Sequence, residues 1–116
     1  MFNLFGNTPE KFKNIFCDEL QDIISKNDGL RESEIIDCRT PGEFYSGHIH
    51  GAKLIDLMDP AFREKVEQLD KNKTYYVYCR SGSRSMTACR IMAKTGIENL
   101  FNVKFGLMGW QGPLSN

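Results

Sequence analysis

A β-branched and aromatic run, Tyr75-Tyr76-Val77-Tyr78, stops at Cys79 and passes through Arg80-Ser81-Gly82 into a stretch of helical spacing, Ser83 to Lys94. Residues 75–78 read as a buried strand, and Ser83 to Lys94 as a helix whose first turn carries no proline or β-branched residue. A strand that turns this tightly into a helix commits the chain to alternating α/β layers. It also aims loop N–H groups, and the positive end of a helix dipole, at Cys79. With Arg80 and Arg84 those donors favour the thiolate, which is the reactive form. A small hydrophobe at a strand end would need no such surroundings. Two arginines around an inert thiol would be costly and without purpose, so Cys79 is the candidate nucleophile.

Strand and helix signals alternate along the rest of the chain. Asn14 to Phe16 reads as a short strand, and Cys17-Asp18 opens a helix with Leu20, Ile23 and Ile24 on one face, ending near Asn27-Asp28-Gly29. Glu34 to Cys38 is the next strand. Pro41 starts a short helix through Tyr45, and Gly47 ends it. Ala52 to Ile55 is a third strand; Asp59-Pro60 begins a helix to about Leu69, with Phe62, Val66 and Leu69 on one face. After the polar turn Lys71-Asn72-Lys73 come the strand and helix around Cys79. Gly96 stops that helix before a last strand, Asn99 to Val103. Such alternation implies a parallel sheet covered on both faces. Its ligand site would lie beyond the carboxyl ends of the strands, where Cys79, Asp37 to Arg39 and the Lys104 to Gly109 turn converge.

The chain has 116 residues, enough for one ordinary domain with a working core and too few for two. Fifteen basic and fifteen acidic side chains cancel, which argues against a nucleic-acid or membrane-attracted surface. Cys17, Cys38, Cys79 and Cys89 form no Cys-x-x-Cys pair, and His48 and His50 stand at no metal-site spacing to them. No metal site is expected. Met1 to Glu10 lacks a continuous apolar segment with a small-residue cleavage site, and no run of about 18 apolar residues occurs. A reduced thiol and these absences point to a cytoplasmic location.

The loop Cys79-Arg80-Ser81-Gly82-Ser83-Arg84-Ser85 resembles the Cys-Arg-Ser-Gly-x-Arg-Ser active-site loop of the rhodanese sulfurtransferases. Upstream, Asp37-Cys38-Arg39 followed by Glu43-Phe44 and Gly47-His48-Ile49-His50-Gly51-Ala52 is similar to the family's Asp-x-Arg, Glu-Phe/Tyr and Gly-His-Ile-x-Gly-Ala series. The ending Gly106 to Trp110 resembles its final Gly-x-x-x-Trp turn. The likeness runs from about Asn14 to Trp110. It implies one rhodanese domain over residues 1–116 with a core at about 14–112, built on a five-stranded parallel sheet with helices on both faces.

The activity implied is sulfur transfer: Cys79 takes sulfane sulfur from thiosulfate or a related donor, holds it as a persulfide, and passes it to cyanide or a thiol acceptor. A protein acceptor such as thioredoxin or a sulfur carrier would serve equally. No metal or organic cofactor is implied. Arg84 is expected to stabilise the thiolate and hold a sulfonate-like donor, while Arg80 is either a second donor contact or a solvated charge. Ser81, Gly82 and Ser83 are expected to act through their N–H groups. In the family Asp37, Arg39, Glu43 and His48 look structural, bracing the loop, with His48 a turn residue and His50 exposed without a partner.

Cys38 stands where relatives often carry valine or threonine. It reads better as a small buried replacement than as a thiol that resolves oxidised Cys79. Cys89 reads as helix core and Cys17 as a neighbour of a helix cap. The family's usual Gly-Gly before the last tryptophan is Phe105-Gly106 here, which places a bulky side chain near the site. Two rival functions share the fold: a phosphatase or arsenate reductase, and a non-catalytic protein-binding module. Four residues separate Cys79 from Arg84, whereas the related phosphatases have five between cysteine and arginine.

Overall fold

The computed structural model describes residues 10–26 and 30–116. Five strands, β1 (Lys13–Ile15), β2 (Ser33–Asp37), β4 (Lys53–Leu54), β5 (Thr74–Tyr78) and β6 (Asn99–Val103), form one parallel sheet in the order β1-β6-β5-β2-β4. The strand that ends at Cys79 is thus the central one, flanked by β6 and β2. Both faces of β5 are covered, which accounts for its unbroken Tyr75 to Tyr78 run.

Alternate residues point to opposite faces. On one face Ile36, Tyr75, Val77 and Leu100 pack beneath α3 (Phe62–Glu67) and α4 (Ser83–Lys94), against Phe62, Val66, Ala88 and Met92. On the other, Ile35, Tyr76, Tyr78 and Val103 meet Leu20 of α1 (Cys17–Ser25). Each fully buried aliphatic side chain contributes about 1.5–3 kcal/mol of transfer free energy. The expected layers, with helices on both faces, are those observed.

Several boundaries move for local reasons. The first strand ends at Ile15 because Phe16, half exposed, is already the N-cap of α1. The expected stop of α1 at Asn27 to Gly29 lies outside the described residues, as does Met1 to Pro9; the helix itself ends at Ser25. α3 is shorter than the Asp59 to Leu69 reading. Asp59 turns the chain instead, its Oδ1 accepting from Ala61 N–H at 2.8 Å and its carbonyl from Phe62 N–H at 2.9 Å. At the far end Gln68 and Leu69 donate three residues back, to Lys65 and Val66, so the last turn tightens out of α geometry.

α2 (Pro41–Ser46) starts on a capping box: Thr40 Oγ1 accepts from Glu43 N–H, and Glu43 Oε1 accepts from Thr40 N–H, each at 3.3 Å. Beyond it lies an element with no counterpart in the sequence reading. His48–Ile49 (β3) pairs antiparallel with Leu114–Ser115 (β7), His48 opposite Ser115. His48 is therefore a strand residue, not a turn residue. Its Nδ1 lies 2.9 Å from Phe44 O and its ring stacks on Phe44. His50 is exposed as expected but has a partner, Ser115 Oγ at 2.8 Å. Among the described residues no helix is long and apolar enough to cross a membrane.

Candidate active site

α4 begins without a side-chain cap: Gly82, at φ +106°, occupies the N-cap position. The orphan N–H groups of a first helical turn need acceptors, and here the acceptor is sulfur. Gly82 N–H and Ser85 N–H donate to Cys79 Sγ at 3.1 and 3.3 Å. Cys79 thus caps the helix that follows it. Of the loop residues expected to supply N–H groups, only Gly82 reaches the sulfur; Ser81 and Ser83 are exposed on the outer rim.

The sulfur is buried among polar neighbours from both flanking strands. As a thiol, Cys79 donates to Ser85 Oγ at 3.4 Å, and Ser85 Oγ donates to Asn102 Oδ1 of β6 at 2.5 Å. Asn102 in turn donates to Asn14 Oδ1 at 2.9 Å. From the opposite side comes Cys38, fully buried at the end of β2. The Cys38 thiol beside it, outweighing the opposing effect of burial, does most to hold the Cys79 thiol below its ordinary range; Ser85 and Gly82 add to this. Conversely the Cys38 thiol is pushed far up, by its hydrogen bond to Cys79 and by burial. Cys89 lies in the same core cluster and is raised by burial, the inert setting expected of it.

Neither arginine of the loop touches the sulfur. Arg84 spends its guanidinium on Glu43 in a two-pronged pair, 2.8 and 2.9 Å, between α4 and α2. That pair holds Glu43 down to about 2. Arg84, expected to stabilise the thiolate and to hold the donor, makes its hydrogen bonds to Glu43, and the hydrogen bonds that favour the Cys79 thiolate come from Cys38, Ser85 and Gly82. Arg80 is exposed and lines a cleft of about 400 Å³ with Arg39, Gly42, Glu43, Ser46, Gly47, Leu107 and Leu114. Among the described residues Arg80 makes no ion pair, in contrast to Arg84.

Asp37 and Arg39 form a buried pair just below this cleft. Arg39 Nε and Nη2 donate to Asp37 at 2.7–3.1 Å, and Nη2 also donates to Gly47 O at 2.7 Å. Tyr78 O–H donates to Asp37 Oδ2 at 2.6 Å and accepts from Ile49 N–H at 3.0 Å. Every charge is thereby matched, the condition under which a buried ion pair is tolerable.

A 3₁₀ turn, Gly106–Gly109, clamps the loop from behind: Leu107 N–H donates to Cys79 O at 2.9 Å and Met108 N–H to Arg80 O at 3.0 Å. Gly106 is at φ +51°, and a Cβ there would stand 2.2 Å from Cys79 O. Cys17 fastens the turn from the other side, donating S–H to Gly106 O at 3.2 Å. Phe105 takes a left-handed conformation, φ +66°, uncommon for a bulky residue, and stacks on Phe16.

Ser85, Asn102 and Asn14 were not among the sequence candidates. Asn102 carried a usable signal, a polar residue inside the strand Asn99 to Val103 on the face of Leu100.

A model of the rhodanese-like domain matches residues 16–113. The chain belongs to the rhodanese-like domain family. It is 41% identical over 81 residues to the Bacillus subtilis protein named "Putative sulfurtransferase YtwF", which covers 70% of this chain and 76% of that one. It is 30% identical over 76 residues to a protein of Allochromatium vinosum named "Sulfurtransferase", covering 66% and 69%. Among solved structures, a rhodanese-like domain protein from Staphylococcus aureus superposes with a TM-score of 0.77 at 30% identity, over 90% of this chain and 97% of that one. A protein of Leishmania major named "As-Sb reductase" (TM-score 0.74, 18% identity, 83% and 74% covered) shares the fold alone. As a rhodanese-like protein, the chain thus sits beside relatives named for sulfur transfer.

Proposed function

We propose that this rhodanese-like protein carries sulfane sulfur as a persulfide on Cys79, taking it from thiosulfate or a related donor and delivering it to cyanide or a thiol. The observation that carries the reading is the sulfur that caps its own following helix, with two N–H donors and a second thiol around it. Such a setting supplies thiolate at neutral pH.

In the first half-reaction the Cys79 thiolate attacks the outer sulfur of thiosulfate. The donor's S–S bond breaks and sulfite leaves with the electron pair. The transferred sulfur takes up the negative charge, close to the loop N–H groups of Ser81 and Ser83. Arg80, free in the cleft, draws in the sulfonate; Arg84, held by Glu43, keeps the loop in shape. In the second half-reaction a thiophile attacks the outer sulfur and Cys79 leaves as thiolate. A thiol that must stay reduced between turnovers suits the cytoplasm, and thioredoxin or a sulfur carrier is a fitting acceptor.

With cyanide present from the start, thiosulfate should pass one sulfur atom through the protein to thiocyanate at each turnover, and Cys79→Ser should take up no sulfur and form no thiocyanate. Sulfur uptake by folded Cys79→Ser would move the nucleophile elsewhere. The same protein should leave an aryl phosphate unhydrolysed, since four residues between Cys79 and Arg84 make a ring narrower than the five of the related phosphatases. Turnover of aryl phosphate without persulfide formation would replace this reading with the phosphatase one.

A further inference from the structure

The persulfide chemistry uses one thiol, yet two stand side by side at the end of the sheet. β2 and β5 pair in parallel as far as Asp37 opposite Tyr78. Cys38 N–H then donates to Tyr78 O at 3.0 Å, which carries the register one residue on and sets Cys38 against Cys79. Neighbouring strands run about 4.8 Å apart, inside the roughly 4.4–6.8 Å between Cα atoms that a disulfide spans. Directly paired residues of parallel strands face the same way. Both thiols accordingly lie in the cluster beneath α3 and α4, closed to solvent. Cys89 shares that cluster but comes from α4, not from a paired strand.

We propose that Cys38 is a resolving thiol, which attacks the inner sulfur of the Cys79 persulfide, closes a Cys38–Cys79 disulfide and discharges the carried sulfur as hydrogen sulfide. This rests on the reading that Cys79 carries a persulfide. The new bond joins the two Sγ atoms. The bond from Cys79 Sγ to the outer sulfur breaks, and that sulfur leaves with the electron pair and the proton of Cys38. The sulfane sulfur is reduced to sulfide while the two cysteines are oxidised to a disulfide, so no outside oxidant is consumed. A dithiol, small or protein-borne, then reduces the disulfide and becomes oxidised itself. The cycle converts a sulfane donor and a dithiol into sulfide and a dithiol's disulfide.

The same neighbours make the step conditional on loading. In the resting protein the proton of Cys38 is held tightly because it faces the Cys79 thiolate. Once sulfur is loaded, the charge resides on the outer sulfur and Cys79 Sγ becomes an electrophile. Cys38, set against Cys79 by the β2–β5 register, is then placed to act as the nucleophile. An external acceptor and Cys38 therefore compete for one persulfide, at its outer and inner sulfur respectively.

The test is a single loading without acceptor. Reduced full-length protein, freed of small thiols and oxygen, is mixed with thiosulfate, quenched by alkylation and weighed intact without reduction, while sulfide is trapped. The expected product lacks two hydrogens, yields one sulfide per disulfide, and gives a peptide map joining Cys38 to Cys79. Cys38→Ser and Cys38→Val should load more slowly yet keep the persulfide, release no sulfide and still yield thiocyanate with cyanide. Cys89→Ala should behave as the parent protein does. A lasting persulfide in the parent protein, a disulfide to Cys89 or between two chains, or sulfide release from either Cys38 variant would overturn the proposal and leave the carrier reading standing. If neither parent nor variants take up sulfur, the carrier reading fails and this one with it.

Discussion

Arg80 and Arg84 look interchangeable in the loop motif, and the structure separates them. Arg84 is neutralised by Glu43, whereas Arg80 stands unpaired in the cleft. Arg80→Ala should therefore raise the KM for thiosulfate about tenfold, the loss of one charge-assisted hydrogen bond, with a smaller change in the second half-reaction when cyanide is varied. Ser85 acts on acidity instead. Its N–H and hydroxyl both favour the Cys79 thiolate, and Ser85→Ala removes the hydroxyl while keeping the N–H. The alkylation rate of Cys79, followed against pH, should keep its acid limb well below the ordinary thiol range in the parent protein and shift it to higher pH in the variant. An unmoved limb would take the hydroxyl out of the account.

Among the elements, α2 and α4 are joined through the Glu43 carboxylate, which caps one helix and pairs with the other. Glu43 is held down to about 2 in the folded protein, below the usual carboxylate range of an unfolded chain. Its contribution to stability is thus complete above that usual range and is lost as pH falls towards 2. Glu43→Gln should flatten the acid limb of stability against pH, measured by urea midpoints, and leave the neutral-to-alkaline side parallel to that of the parent. The long elements were legible beforehand: α4 and β6 begin and end where periodicity and Gly96 put them. The β3–β7 ribbon was not, because strands of two residues carry no periodicity and their pairing spans most of the chain. α3 was overread because Asp59-Pro60 is as good a turn as a helix start.

At the scale of the whole molecule, Tyr78 ties the central strand to the ribbon, its hydroxyl bonded to both Asp37 and Ile49. Tyr78→Phe leaves a buried carboxylate and a buried N–H each short of a partner, a loss of about 1–3 kcal/mol. It should appear as a lower urea midpoint with an unchanged slope and faster amide exchange at Ile49. The candidate site was half legible by the same logic. The loop motif pointed to Cys79 and its N–H cradle, which are local in sequence. Cys38 meets Cys79, and Asn102 meets Ser85 beside it, only because β2 and β6 flank β5, and strand order is not written in any one segment. That placement has an evolutionary consequence. On the proposed chemistry the loop defines which reaction is possible, while Cys38, at a strand end distant in the chain, adjusts the acidity of Cys79 and the fate of the sulfur it carries. On that chemistry, relatives with an identical loop diverge as carriers or reducers of sulfur through a single change at the position of Cys38, and comparison of the loops alone would call them the same.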